Sequence, residues 1–246
     1  MYIQLLKKCV LDSIYGSNMI TPDGKGEEVM KGKADQESIL NGTYWPSRAH
    51  TMIGEKRLTN IEKCFLDILE NKIEGDIIET GVWRGGSCIF MAGLNKYYKS
   101  GKKVFVADSF EGLPPPNEKK YPLDKGDILY KYKSLAVSLE DVKSNFSKYD
   151  LLDENVIFIK GFFNESLKNA PIEKLSLLRL DGDMYESTMD SLIHLYDKVV
   201  VGGYIIIDDY GCIPACAAAV EDFRKSRGIT TKLETIDWTG RYWKKE

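Results

Sequence analysis

Two apolar runs that each end in clustered acids constrain this chain more than any other stretch. The first is Leu177-Leu-Arg-Leu-Asp181-Gly-Asp183-Met-Tyr-Glu186-Ser-Thr188, and the second is Gly203-Tyr-Ile-Ile-Ile-Asp208-Asp209-Tyr-Gly211. Both runs are strand-length and flanked by helical patterns, which predicts buried parallel strands. In an open α/β sheet, ligands bind beyond the carboxyl ends of the strands. Asp181, Asp183, Asp208 and Asp209 are therefore expected to meet at one rim. Carboxylates gathered in this way repel one another unless a cation or raised pKa values relieve them. An all-oxygen ligand set suits a hard divalent ion such as Mg²⁺. Asp also caps helices well, so each acid taken alone has that simpler alternative. Four acids at two strand ends favour the metal.

Three further strand ends complete the rim. Asp76-Ile-Ile-Glu79-Thr80-Gly81-Val-Trp83-Arg84-Gly85-Gly86-Ser87 runs an apolar strand into a Gly-rich turn, with a helix opening at Ser87. Glycines let the backbone approach a ligand closely, and a helix start presents free N–H groups. The spacing is not G-x-G-x-x-G, so the dinucleotide fingerprint fails, and Gly-rich packing alone is the competing explanation. Lys103-Val-Phe-Val-Ala-Asp108 ends in an acid that could accept hydrogen bonds from both hydroxyls of a ribose, or simply cap. Val156–Lys160 leads into Gly161-Phe162-Phe163-Asn164, an apolar wall for a flat base or ordinary core.

Around these strands the periodicity places helices. Ile3, Leu6, Val10 and Ile14 predict one over residues 3–15, and Ile61, Cys64, Phe65, Ile68 and Leu69 predict another over 59–71. Residues 16–50 and 111–137 show little apolar period and are expected to be irregular, as long functional or disordered loops are. Ser138 and Asp141 mark a helix start, followed by Val142 and Phe146. Met189, Leu192, Ile193 and Tyr196 are expected inward after the first acidic strand, with His194 at the solvent edge. Arg179 should face the same side as Asp181 and partner it. Pro214 opens a last helix with Cys216, Ala219, Val220 and Phe223 inward. Thr231–Ile236 and Arg241–Lys244 read as a terminal hairpin.

The resulting fold class is α/β: a mostly parallel, doubly wound sheet closed by a C-terminal antiparallel hairpin. At 246 residues and 43% hydrophobic content, one domain is expected over 1–246. It divides into an N-terminal helix and lid (1–58) and a core (59–246) carrying a second lid loop at 112–137. A net charge of −3 with interspersed signs argues against a nucleic-acid partner. No apolar run nears the ~20 residues that span a bilayer, and no signal-peptide pattern opens the chain, so no membrane partner is expected. The five cysteines fall in apolar patterns, and Cys212 and Cys216 lack a second Cys or His pair, which argues against zinc and predicts a reduced, cytoplasmic protein.

The motifs are long enough to carry a resemblance. Trp45-Pro46-Ser-Arg-Ala-His-Thr51-Met52-Ile, Glu79-Thr-Gly-Val-Trp-Arg-Gly-Gly-Ser87, Asp108-Ser-Phe-Glu-Gly-Leu-Pro, Arg179-Leu-Asp-Gly-Asp-Met-Tyr-Glu-Ser-Thr188, Ile207-Asp-Asp-Tyr-Gly211 and Asp237-Trp-Thr-Gly-Arg-Tyr-Trp243 resemble the macrocin O-methyltransferase family over nearly the whole chain. The resemblance implies a Rossmann-like methyltransferase fold, S-adenosylmethionine as methyl donor and Mg²⁺ as cofactor. It carries the metal ligands onto Asp181, Asp208 and Asp209 and a general base onto Asp183. It places the donor on Thr51, Met52, Glu79, Gly81, Ser87, Asp108, Ser109, Phe162, Phe163 and Asp181. Gly81 and Ser87 would hold its amino-acid part and Asp108 its ribose. Phe162 stands where many relatives carry Trp, and Ala217 where a basic residue is common.

The chemistry implied is O-methylation of a sugar hydroxyl on a small molecule or glycosylated natural product, with a homodimer as the expected assembly. Metal-assisted ionisation of the hydroxyl and proton removal by Asp183 would drive it. His50 or Asp209 is the next candidate base. A phenolic or catechol-like acceptor is the alternative substrate. A nicotinamide oxidoreductase is a rival from another class, disfavoured by the Gly turn, and Tyr98-x-x-x-Lys102 follows the first core helix, away from the expected site. A silent binding module would be expected to lose its carboxylates, and all four are present.

Overall fold

Alternation that the sequence hides, because apolar residues stand on both faces of the central strands, becomes visible once the sheet is assembled. The computed structural model describes the whole chain, Met1–Glu246. It opens with helix α1 (Tyr2–Val10), then strands β1 (Asn18–Pro22) and β2 (Glu28–Lys33), helix α2 (Gln36–Asn41) and strand β3 (Trp45–Pro46). Helix α3 (Gly54–Glu70) leads to β4 (Asp76–Thr80), α4 (Gly86–Tyr98), β5 (Val104–Asp108), α5 (Leu139–Ser147), β6 (Val156–Lys160) and the short α6 (Phe163–Ser166). Then come β7 (Leu175–Leu180), α7 (Tyr185–Leu195), β8 (Val199–Ile207), α8 (Pro214–Ser226), β9 (Glu234–Thr235) and β10 (Arg241–Lys244).

The main sheet has the order β6-β5-β4-β7-β8-β10-β9. Its first five strands are parallel, and β10 runs antiparallel to both β8 and β9. The chain starts the sheet at β4, goes outward to β6, then returns to β7 on the other side of β4. That reversal is the switch point at which such sheets bind ligands. Ile77, Val104, Val106, Leu177 and Ile206 point into the layer made by α1, α3, α4 and α5. Ile78, Phe105, Leu178, Ile205 and Ile207 point into the layer of α7 and α8. The doubly wound sheet closed by a hairpin is thus as expected, and no helix is long and apolar enough to cross a membrane.

Three expectations are corrected. Residues 16–50 are not irregular: β2, β1 and β3 form a separate antiparallel sheet, joined by a turn in which Asp23 Oδ1 accepts the N–H groups of Lys25, Gly26 and Glu27. These strands are half-buried or exposed along their length, so they carry no apolar alternation to read. The first helix stops at Val10, because Asp12 turns left-handed (φ 51°), and Ile14 is exposed. On α7, Leu192 and Leu195 face inward and Ile193 is exposed.

Candidate active site

The carboxyl ends of the parallel strands converge as the order dictates. Moving along the rim, Phe162 and Phe163 follow β6, Asp108 and Ser109 end β5, Gly81 follows β4, Asp181 and Asp183 follow β7, and Asp208 and Asp209 follow β8. All of these residues line one cavity of about 510 Å³, together with Thr51, Met52 and Ser87. Of the residues expected to hold the donor or the metal or to act first as base, Glu79 alone lies outside the cavity wall.

Glu79 is instead fully buried behind the wall. One oxygen pairs with Arg179, its direct neighbour across β4 and β7, and the other accepts from Ser87 Oγ and Cys88 Sγ. Its contribution to the cavity therefore passes through Ser87, whose hydroxyl it holds. Gly81 is a wall residue for a packing reason as well. Its φ is +85°, and an added Cβ would run into the Asp181 carbonyl, so the ends of β4 and β7 approach only because Gly81 has no side chain.

The Asp108 carboxylate is fixed by backbone donors: Val82 N–H to Oδ2 at 2.7 Å and Phe110 N–H to Oδ1 at 2.8 Å. These bonds tie the turn after β4 to the turn after β5 and leave the remaining lone pairs for a ligand. Burial raises its pKa above the ordinary value, with the same backbone bonds opposing the shift. Beyond it, Phe163 packs on the α7–α8 core, while Phe162 is 43% exposed at the mouth. Gly182 leaves space beside Phe163, whose ring would lie 3.4 Å from an added Cβ.

The acid cluster is the electrostatic centre. Asp181, Asp208 and Asp209 each present an oxygen within 4.8 Å of the others. Arg179, buried under them, pairs with Glu79, Asp181 (2.8 Å) and Asp208, which bears out the expectation that it faces with Asp181. Arg57 from α3 pairs with the other oxygen of Asp208 and with Asp237 at 3.1 Å. Two guanidinium groups thus face six carboxylates (Glu79, Asp181, Asp183, Asp208, Asp209, Asp237), and neither Asp183 nor Asp209 makes a salt bridge. Burial, then the neighbouring acids, pushes Asp181 and Asp209 well above the carboxylate range. Burial, with Asp127 and Asp208 adding, pushes Asp183 up to about 7. A surplus of buried oxygen donors with too few cations is the donor chemistry of a hard divalent ion, so these residues fit Mg²⁺.

Asp183 adopts a left-handed conformation (φ 59°) in the turn before α7, and its N–H donates to Asp209 Oδ2 at 3.2 Å. Short polar residues tolerate that conformation, and it turns the side chain from the strand line into the cavity. His50 lies elsewhere: its Nδ1 meets Tyr149 Oη at 2.6 Å, outside this cavity, and burial with Lys148 and Arg84 nearby pushes it down to about 4. It is not placed to act as a base for a ligand held by the acids.

Two contributors escaped the sequence reading. Arg57 lies one turn before Ile61 on the buried stripe of α3, and a basic residue on an apolar stripe was the available signal. Asp124, only 2% exposed, reaches from loop 112–137 to accept the N–H groups of Tyr185 (2.6 Å) and Glu186 (3.1 Å) at the start of α7. Leu113, Leu129 and Leu135 from the same loop, and Tyr44 and Trp45 from the N-terminal segment, wall the cavity. The two segments also touch: Tyr132 packs edge-on against Trp45, and its hydroxyl accepts from Gly24 N–H at 3.0 Å.

The chain is similar to known proteins over its whole length. The profile of the family described as Macrocin-O-methyltransferase (TylF) matches residues 1–245. Demethyldecarbamoylnovobiocin O-methyltransferase of Streptomyces niveus is 44% identical over 248 residues, covering 100% of this chain and 93% of that protein. 8-Demethyl-8-(2,3-dimethoxy-alpha-L-rhamnosyl)-tetracenomycin-C 4'-O-methyltransferase of Streptomyces olivaceus is 43% identical over 246 residues, covering 99% and 92%. The solved structure of the O-methyltransferase NovP superposes with a TM-score of 0.91 at 44% identity, covering 99% of this chain and 98% of that one.

Proposed function

The chain belongs to the macrocin O-methyltransferase (TylF) family and is an O-methyltransferase, and from that premise we propose that it moves a methyl group from S-adenosylmethionine to a sugar hydroxyl of a glycosylated natural product, with Mg²⁺ bound by Asp181, Asp208 and Asp209. The observation that carries this reading is the single cavity in which the Asp108–Phe163 rim runs directly into the acid cluster. Such continuity brings a donor and an acceptor side by side, which is most of what a displacement reaction asks of a protein.

The roles follow from position along the rim. Asp108 offers its free lone pairs to the ribose of the donor, and the Phe162–Phe163 wall receives the adenine. Ser87, its hydroxyl set by Glu79, and the Gly81 backbone receive the amino-acid end. Thr51, Met52 and Ser109 complete the donor's surroundings. A bound Mg²⁺ would supply Lewis-acid polarisation of the acceptor hydroxyl. Asp183, projecting into the cavity without a cationic partner, takes the proton from that hydroxyl as the oxygen attacks the sulfonium methyl. Leu113, Leu129, Tyr44 and Trp45 lie over the cavity as two lids and keep water from the reacting atoms. An apolar and aromatic cover suits the faces of a deoxysugar and its aglycone. The relative from Streptomyces olivaceus acts, by its name, on a 4' oxygen of a rhamnosyl compound, which supports a sugar acceptor.

The test is a methyl-transfer assay with S-adenosylmethionine and a panel of deoxysugar-bearing aglycones, followed by mass spectrometry. Methylation of a sugar-bearing acceptor that stops in EDTA and resumes with Mg²⁺ is expected. Full activity in EDTA would remove the metal from the mechanism, and no calorimetric binding of S-adenosylhomocysteine would remove the donor.

A further inference from the structure

Arg57 joins the acid cluster to the N-terminal segment and to the C-terminal turn, whereas the contacts of Arg179 stay at β4 and the ends of β7 and β8. Nη1 pairs with Asp208 Oδ2, Nε donates to Asp237 Oδ2 at 3.1 Å, and Nη2 donates to the Gly42 carbonyl at 3.2 Å. The residue is only 5% exposed. Gly42 is the left-handed C-cap of α2 (φ 62°) and opens the stretch Gly42–Trp45 that walls the cavity. The junction has no slack. A Cβ added at Gly42 would strike the Arg57 guanidinium and the Ile53 backbone, and one at Gly54 would strike the backbone of Asn41 and Gly42. Trp238 Nε1 donates to the Asn41 carbonyl at 2.8 Å, a second tie from the C-terminal turn to the same hinge.

A guanidinium is a rigid planar fork, so it cannot follow one acceptor without leaving the others. Asp208 is clamped on its other oxygen by Arg179. We propose that Arg57 is a positioning residue that couples the N-terminal lid, through Gly42, to the occupancy of the acid cluster, through Asp208. This rests on reading Asp181, Asp208 and Asp209 as Mg²⁺ ligands. When Asp208 is held in one orientation, the fork is held with it, and the Gly42 carbonyl follows. Coupling of this kind is reciprocal: a closed lid tightens the cation site by the same factor as the occupied site tightens the lid, usually about 5- to 150-fold. Lysine at position 57 would keep the charge near Asp208 but has one compact donor head in place of the fork.

Hydrogen exchange on the whole chain, with and without saturating Mg²⁺, tests this alongside calorimetric titration of Mg²⁺ alone. In the wild type, Mg²⁺ should slow exchange over residues 38–46. Arg57→Lys should still bind Mg²⁺, roughly 10-fold more weakly, yet show no Mg²⁺-dependent slowing over 38–46. Trp238→Phe loosens the same hinge without touching the fork and should keep the response. Loss of the response in Trp238→Phe would reduce Arg57 to general packing and overturn the proposal. So would full Mg²⁺ protection in Arg57→Lys. Wild-type protein that binds Mg²⁺ without any change over 38–46 overturns the coupling and leaves the metal reading standing. Wild-type protein that binds no Mg²⁺ ends both. If Arg57→Lys fails to fold, Arg57→Gln takes its place with the same two outcomes, and the wild-type measurements can still overturn the coupling.

Discussion

Asp108 holds two backbone N–H groups, at 2.7 and 2.8 Å, so it is more than a ligand-facing acid at a strand end. Truncation to Ala would strand both donors and loosen the turns after β4 and β5, confusing a binding defect with a folding one. Asp108→Asn is the milder probe, since it keeps the shape and one acceptor and strands only one of the two N–H groups. An unchanged thermal midpoint would assign its effect to binding rather than folding. Hydrogen bonds to charged groups contribute about 2 kcal/mol, so S-adenosylhomocysteine affinity should fall roughly 30-fold by calorimetry. An unchanged affinity would take Asp108 out of the donor site. Asp183→Asn keeps a residue that tolerates φ 59°, so its backbone should hold. Turnover should fall by about 10²–10⁴-fold if Asp183 is the base, with donor affinity unchanged. Normal turnover would pass the role to Asp209. The acids of the rim were legible in the sequence because each ends an apolar run. Arg57 and Asp124 were not, because their partners lie 151 and 61 residues away along the chain.

At the scale of elements, the five parallel strands were legible for the same reason that they are buried on both faces. Largely apolar runs of strand length have few other places to go. The sheet of β1, β2 and β3 was not legible from periodicity, because pairing rather than burial holds it. Its available signal was Asp23-Gly24, a hairpin dipeptide that sits among polar residues and so lacked flanking alternation. Loop 112–137 likewise gets its order from elsewhere. Met184 caps α7 with no side-chain bond of its own, and Asp124 supplies the cap from the loop. Asp124→Ala should therefore cost about 1 kcal/mol, the usual value of a helix cap. Hydrogen exchange should speed up in both residues 120–130 and the first turn of α7. Unaltered exchange in α7 would mean that the loop rests on the helix without stabilising it.

For the whole molecule, the deciding quantity is the charge buried at the meeting of β4, β7 and β8. Arg179 is wholly buried and is the cation shared by Glu79, Asp181 and Asp208. Breaking a buried ion pair by removing one partner typically costs about 3–5 kcal/mol, since the other charge stays behind unpaired. Arg179→Met, which keeps most of the volume, should therefore lower thermal stability by an amount of that order. The three acids left behind would share one small region, so their repulsion would add to the loss of the pair. A divalent cation bound to the folded chain alone stabilises it by mass action, and here it would also replace part of the missing positive charge. The melting temperature of Arg179→Met should consequently rise more steeply with Mg²⁺ than that of the wild type, while Ca²⁺-free, EDTA-treated variant should be the least stable form. Equal Mg²⁺ responses in the two proteins would show that the arginine and the cation serve separate acids. A variant as stable as the wild type in EDTA would show that the acids beneath the cavity are neutralised by protonation, and that Arg179 is there for shape.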